Sequence, residues 1–85
     1  MSDDADRIDR AWISRRLGDP TDQVGSVNDP RTHEEAGLRW NEKWIYRGDH
    51  GQAAERVVFW NRYDFLGAFR VQADGSLDPE TLPEA

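Results

Sequence analysis

Leu38-Arg39-Trp40-Asn41-Glu42-Lys43-Trp44-Ile45-Tyr46-Arg47 is the stretch that decides the fold. With a period of two, Leu38, Trp40, Glu42, Trp44 and Tyr46 fall on one side, and Arg39, Asn41, Lys43, Ile45 and Arg47 on the other. Successive side chains of a strand point to opposite faces, so this alternation predicts a half-buried strand over 38–47. Its apolar face carries one charge, Glu42. A helix would bring Trp40 and Trp44 together but scatter Leu38, Ile45 and Tyr46 around the cylinder.

Downstream, Gly48-Asp49-His50-Gly51-Gln52 reads as a turn into a second strand, 55–63. There Val57, Phe59 and Tyr63 alternate with Val58 and Trp60, the pattern of a strand covered on both sides. Asp64 opens a bend into a third strand, 66–73, in which Gly67 marks a bulge or a close backbone approach. Asp74-Gly75 is turn chemistry. Residues 78–85 hold two prolines and three acids and are expected to form a disordered acidic tail.

Upstream, Ala5, Ile8 and Trp12, widened by Ile13 and Leu17, recur at helical spacing. They predict a helix over 3–17, capped by Ser2 or Asp3, ended by Gly18, and anchored to the sheet by Trp12. Residues 18–31 read as a linker, rich in Gly, Asp, Asn and Pro. Thr32-His33-Glu34-Glu35 has capping-box spacing and, with Ala36 and Gly37, suggests one helical turn. The expected architecture is α+β: an N-terminal helix on a three-stranded antiparallel meander, with 1–77 as one small domain and 78–85 as its tail.

Composition narrows the function classes. The 85 residues carry a net charge of −6. Residues 1–30 hold four Arg and seven Asp, the middle is nearly balanced, and 74–85 hold four acids and no base. Such a chain lacks the basic footprint of duplex nucleic-acid binding, and it does not favour anionic membrane surfaces. The acidic start does not resemble a secretory signal, and no apolar run suits a membrane span. Without cysteine there is no disulfide or thiolate chemistry. A cytoplasmic protein is expected. Ten Arg against one Lys fits a GC-rich bacterial genome, and Arg also suits interfaces better than Lys.

The residues offer little for catalysis. His33 and His50 lack the spacing of a zinc motif, so no metal and no cofactor is expected. Glu42 is the one carboxylate placed among aromatic rings. Pairing with an arginine such as Arg56 or Arg62 outweighs general-acid work for it. What rises above background is the interleaving of aromatic and basic residues on the strands: Arg39, Trp40, Lys43, Trp44, Tyr46, Arg47, Trp60, Arg62, Tyr63 and Arg70. At least two of those three tryptophans should fill the core. The side bearing Arg39, Lys43 and Arg47 is then expected to stay open, as a mild basic strip for an acidic partner surface.

The function expected from these features is a non-enzymatic, accessory or regulatory protein-interaction module using that sheet face, its partner being another protein or a second copy in a homodimer. The alternative is a platform that stacks a small ligand or single-stranded nucleic acid on Trp and Tyr beside Arg. A small enzyme is the weakest reading.

Overall fold

The computed structural model describes residues 9–48 and 54–80. In chain order they form helix α1 (Arg10–Leu17) and strands β1 (Asp22–Gly25), β2 (His33–Glu35), β3 (Leu38–Trp40), β4 (Glu42–Arg47), β5 (Ala54–Asn61), β6 (Asp64–Val71) and β7 (Leu77–Glu80). The α+β class holds. The sheet, however, has five antiparallel strands in the order β1-β4-β5-β6-β7, with β2 and β3 as a separate hairpin. No helix among the described residues is long and apolar enough to cross a membrane.

Asp9 caps α1, its carboxylate accepting from the Trp12 N–H at 2.8 Å. Gly18, at φ 81°, ends the helix with its N–H on the Ser14 carbonyl at 2.9 Å. The expected helical residues before Asp9, and the turn around His50, lie outside the described residues. Ile13 is the fully buried helix residue, while Trp12 is only half-buried, with the Arg16 guanidinium 4.8 Å from its ring.

Three expectations are corrected. The linker contains β1, which pairs with β4 from Asp22–Ile45 to Gly25–Glu42. The expected helical turn at 32–37 is instead a hairpin. Ala36 and Gly37, at φ 56° and 77°, have the sign pattern of a type I′ turn, and His33 lies opposite Trp40 with ring centroids 4.7 Å apart. Cross-strand pairing thus outweighs the capping box. The expected tail begins with a strand: Leu77 packs beside Val71, and Arg56 holds Glu80 through two hydrogen bonds of 2.8 and 2.6 Å. Asp78 accepts from Gln72 Nε2 at 2.6 Å, and Pro79 sits on an edge strand, where a missing N–H is tolerated; residues 81–85 lie outside the described residues.

The third strand does carry an irregularity beside Gly67. Phe59 faces Gly67 and Trp60 faces Phe65, so Leu66 is an extra residue. A Cβ on Gly67 would approach the Phe69 ring to 3.2 Å.

Two cores result, one on each face of the sheet. On the helix face, Ile13 meets Trp44, Val58, Trp60 and Ala68. On the other face, covered by the β2–β3 hairpin, Trp40 packs with Val57, Phe59 and Phe69.

Candidate functional site

Strict alternation would put Trp40 and Glu42 on one face. They lie on opposite faces, because the residue between them leaves the ladder. Asn41 is buried, and its side chain makes three bonds. Its Nδ2 donates to the carbonyls of Val27 at 3.3 Å and Asp29 at 3.2 Å, and its Oδ1 accepts from the Arg62 N–H at 2.8 Å. Its own N–H donates to the Trp60 carbonyl at 3.0 Å. A buried amide this well satisfied fixes the chain locally instead of weakening it. Gly25 fits against the same point, since a Cβ there would collide with the Asn41 carbonyl oxygen at 2.1 Å.

Next to Asn41, Glu42 is buried on the helix face. It accepts from the Trp44 indole N–H at 2.7 Å, from Gln23 Nε2 at 3.1 Å and from Arg10. Arg10 is therefore its ionic partner, in place of the expected Arg56 or Arg62. The Arg10 guanidinium carbon lies 4.9 Å from the Trp60 ring centre, 5.6 Å from that of Trp44 and 6.0 Å from that of Tyr63, all within cation–π range. Through these bonds Glu42 ties α1 to β1 and β4.

Arg10 also donates to the Arg62 carbonyl at 2.7 Å, and Arg62 donates through its guanidinium to the Val27 carbonyl at 3.2 Å. These bonds close around the β5–β6 turn. Asn61 pairs with Asp64, which leaves Arg62 and Tyr63 as the loop. Arg62 has φ 56°, in the left-handed region that favours glycine, and Tyr63 does not share the positive sign. A side-chain-bearing residue there costs roughly 1–2 kcal/mol. Such a conformation persists when its surroundings over-determine it, and here Asn41, Arg10 and Val27 all hold it. The turn presents Tyr63, which is 67% exposed.

The structure separates the sequence-based candidates. Trp40, Trp44 and Trp60 are 4%, 5% and 0% exposed, so their ring faces meet protein. Each base of the proposed strip has an acid beside it: Arg39 bonds Glu34 at 3.0 Å, Lys43 bonds Glu35 at 3.0 Å, and Arg47 bonds Asp22 at 2.6 Å. Lys43 lies under the hairpin, 5.3 Å from the Trp40 ring centre and 5.7 Å from that of Phe59. The strip is therefore charge-neutralised and partly covered. Arg62 belongs to the tip, and Arg70 stands exposed opposite Arg56.

Sequence reasoning missed Arg10 and Asn41, and it set Tyr63 on a strand where the chain makes a turn. Asn at a strand position was a signal for the first break, and Asn61 and Asp64 flanking two residues were a signal for the turn. Nothing in the local pattern pointed to Arg10, whose partner lies 32 residues away. Among the described residues, no cluster of three or more His, Asp and Glu could hold a metal ion. No protein-family model, curated protein or solved structure matches the chain.

Proposed function

We propose that this chain is a non-enzymatic protein-interaction module and that it meets its partner with the Arg62–Tyr63 tip. One observation carries this reading: a tyrosine is held out in solvent by a turn whose costly backbone is secured from three separate segments. Tyrosine and arginine dominate binding hot spots, and a preorganised contact avoids the ordering cost of a mobile one. The contact point thus moves from the sheet face to the end of the β5–β6 hairpin. The neutralised strip of Arg39, Lys43 and Arg47 serves the fold first. Stacking of a ligand or single strand on Trp40, Trp44 and Trp60 finds less support, because those rings are buried. The partner is a protein offering an apolar slot for the phenol ring and an acceptor for the Arg62 guanidinium.

The test places a photo-crosslinking phenylalanine analogue at Tyr63 in the cells of origin, with the same analogue at exposed Gln72 as control. A discrete protein adduct from position 63, and none from position 72, is expected. Equal labelling at both sites, or no adduct at either, overturns the tip as the contact point.

A further inference from the structure

The two edges of the sheet are unlike. β7 carries Pro79, which lacks an N–H, between Asp78 and Glu80. Proline and charge on an edge strand are common guards against pairing with another chain. β1 has no proline and carries a single acid where β7 carries two. Its four residues are exposed. Its one charge, Asp22, is held by Arg47 at 2.6 Å, and the Gln23 amide is engaged by Glu42 at 3.1 Å. Val24 is 40% exposed, and with Tyr63 it makes up the exposed large apolar side chains among the described residues.

We propose that β1 is a self-association edge, on which a second copy of this chain adds its own β1 antiparallel about a two-fold axis. The inference does not rest on the role of the tip. Charge argues for this occupant. The whole chain is acidic, yet the Asp22–Arg47 pair makes this edge locally neutral, so two copies can approach here without opposing net charges. Two-fold pairing is also the commonest form of self-assembly. A four-residue edge is small beside the roughly 1,200–2,000 Å² of a stable interface, so the dimer is weak and forms as concentration rises.

Strand geometry makes the proposal specific. Opposed residues in an antiparallel pair share a face, so with the axis perpendicular to the sheet Val24 can lie opposite Val24 or Asp22 of the second copy. Val24→Glu therefore sets either two carboxylates, or that carboxylate and Asp22, directly opposite each other. Val24→Thr keeps the shape and adds no charge. Sedimentation equilibrium of the full chain, from low micromolar to millimolar concentration, should show an average mass rising toward twice that of one chain. It should show the same rise for Val24→Thr and a constant single-chain mass for Val24→Glu. Near-ultraviolet circular dichroism, read from the buried tryptophans, should be unchanged in both variants. Hydrogen exchange at β1 amides should slow with concentration in the natural chain only where the edge is being paired. A single-chain mass at every concentration overturns the proposal. So does a dimer that survives Val24→Glu, or one that leaves exchange at β1 unaltered, because either places the contact elsewhere.

Discussion

The two faces of the sheet are closed by different means. On the helix face, α1 is tied down by directional bonds. Arg10 reaches Glu42 and the Arg62 carbonyl, and Tyr46 donates to the Gly18 carbonyl at 3.0 Å. On the opposite face, the β2–β3 hairpin is held by the packing of Leu38 and Trp40 on Phe59 and Phe69, with one exposed ion pair, Arg39–Glu34, and one partly buried pair, Lys43–Glu35. Directional bonds set a unique position, and at this site they also set the shape of the Arg62–Tyr63 turn. Apolar area supplies adhesion without fixing orientation as tightly. The face that needs a defined geometry, because a solvent-exposed tyrosine hangs from it, is the one that carries the buried polar groups.

The largest expected effect breaks the helix face. Glu42→Ala leaves the Trp44 indole N–H without its acceptor and the Arg10 guanidinium without its ionic partner, bonded to the Arg62 carbonyl alone. The expected loss is about 3–5 kcal/mol, the range for removing one partner of a buried pair. Urea denaturation checks it through the shift in midpoint. The double variant Arg10→Met, Glu42→Leu should recover much of that stability, since well-packed apolar residues often replace a buried pair at little cost. It should nevertheless loosen the tip, which loses the bond to the Arg62 carbonyl. Faster hydrogen exchange at residues 61–64 in a variant of near-natural stability would show that the ion pair serves position more than stability.

A smaller effect is expected on the hairpin face. Leu38 is half-buried, so Leu38→Ala should cost about 1–2 kcal/mol, below the 2–5 typical of a leucine in a sealed core. Exchange at 61–64 should not change. If Leu38→Ala loosened the tip as much as the double variant does, the contrast between the faces would fail.

The two turns sharpen the comparison further. Ala36 and Arg62 share φ 56°, but a Cβ at neighbouring Gly37 meets nothing within 4 Å, whereas Arg62 is bonded to three segments. Ala36→Gly should therefore stabilise by about 0.5–1 kcal/mol, as relief of left-handed strain at an uncommitted site. Arg62→Gly relieves the same strain but forfeits the guanidinium bond to Val27 and should come out near zero. Thermal melts of the two variants, compared directly, measure the difference.

Much of this arrangement was legible in the chain, and the exceptions have physical causes. The alternation in 38–47, 55–63 and 66–73 predicted three strands, and β4, β5 and β6 occupy most of those spans, because period-two patterning follows from burial against a core. It also put Trp40 and Trp44 on one apolar face, and Trp44 lies in the helix-face core. The strands of three and four residues were hidden: Asp22–Gly25, His33–Glu35 and Leu77–Glu80 are polar and mostly exposed, and pairing with a neighbour defines them more than burial does. The face of Trp40 was also hidden. Alternation holds only while the ladder continues, and Asn41 interrupts it with bonds to Val27, Asp29 and Arg62 that no local window contains. The tip was hidden for the same reason, since Tyr63 fits a strand pattern until the turn is known.

The smallest expected effect is confined to alkaline solution and tests the seam between α1 and β4. Burial pushes the Tyr46 hydroxyl from its ordinary 10.0 up to about 12, with Arg56 acting in the opposite, lowering direction. Below the ordinary value the folded and unfolded chains both keep this proton, and Tyr46 adds no pH dependence. Between about 10 and 12 the unfolded chain releases the proton while the folded chain retains it, so the unfolded state is favoured as pH rises. Stability should therefore fall across that window, and the bond from the Tyr46 hydroxyl to the Gly18 carbonyl should go with the proton. Tyr46→Phe removes the ionising group. It should flatten this part of the pH–stability curve and delete the tyrosinate absorbance step at about 12 from the folded protein. At neutral pH the variant loses one partly exposed hydrogen bond and should be only slightly less stable, by about 1 kcal/mol. An unchanged absorbance step in Tyr46→Phe would show that the late-ionising phenol is not the one at this seam. The directional closure of the helix face would then rest on Arg10 alone.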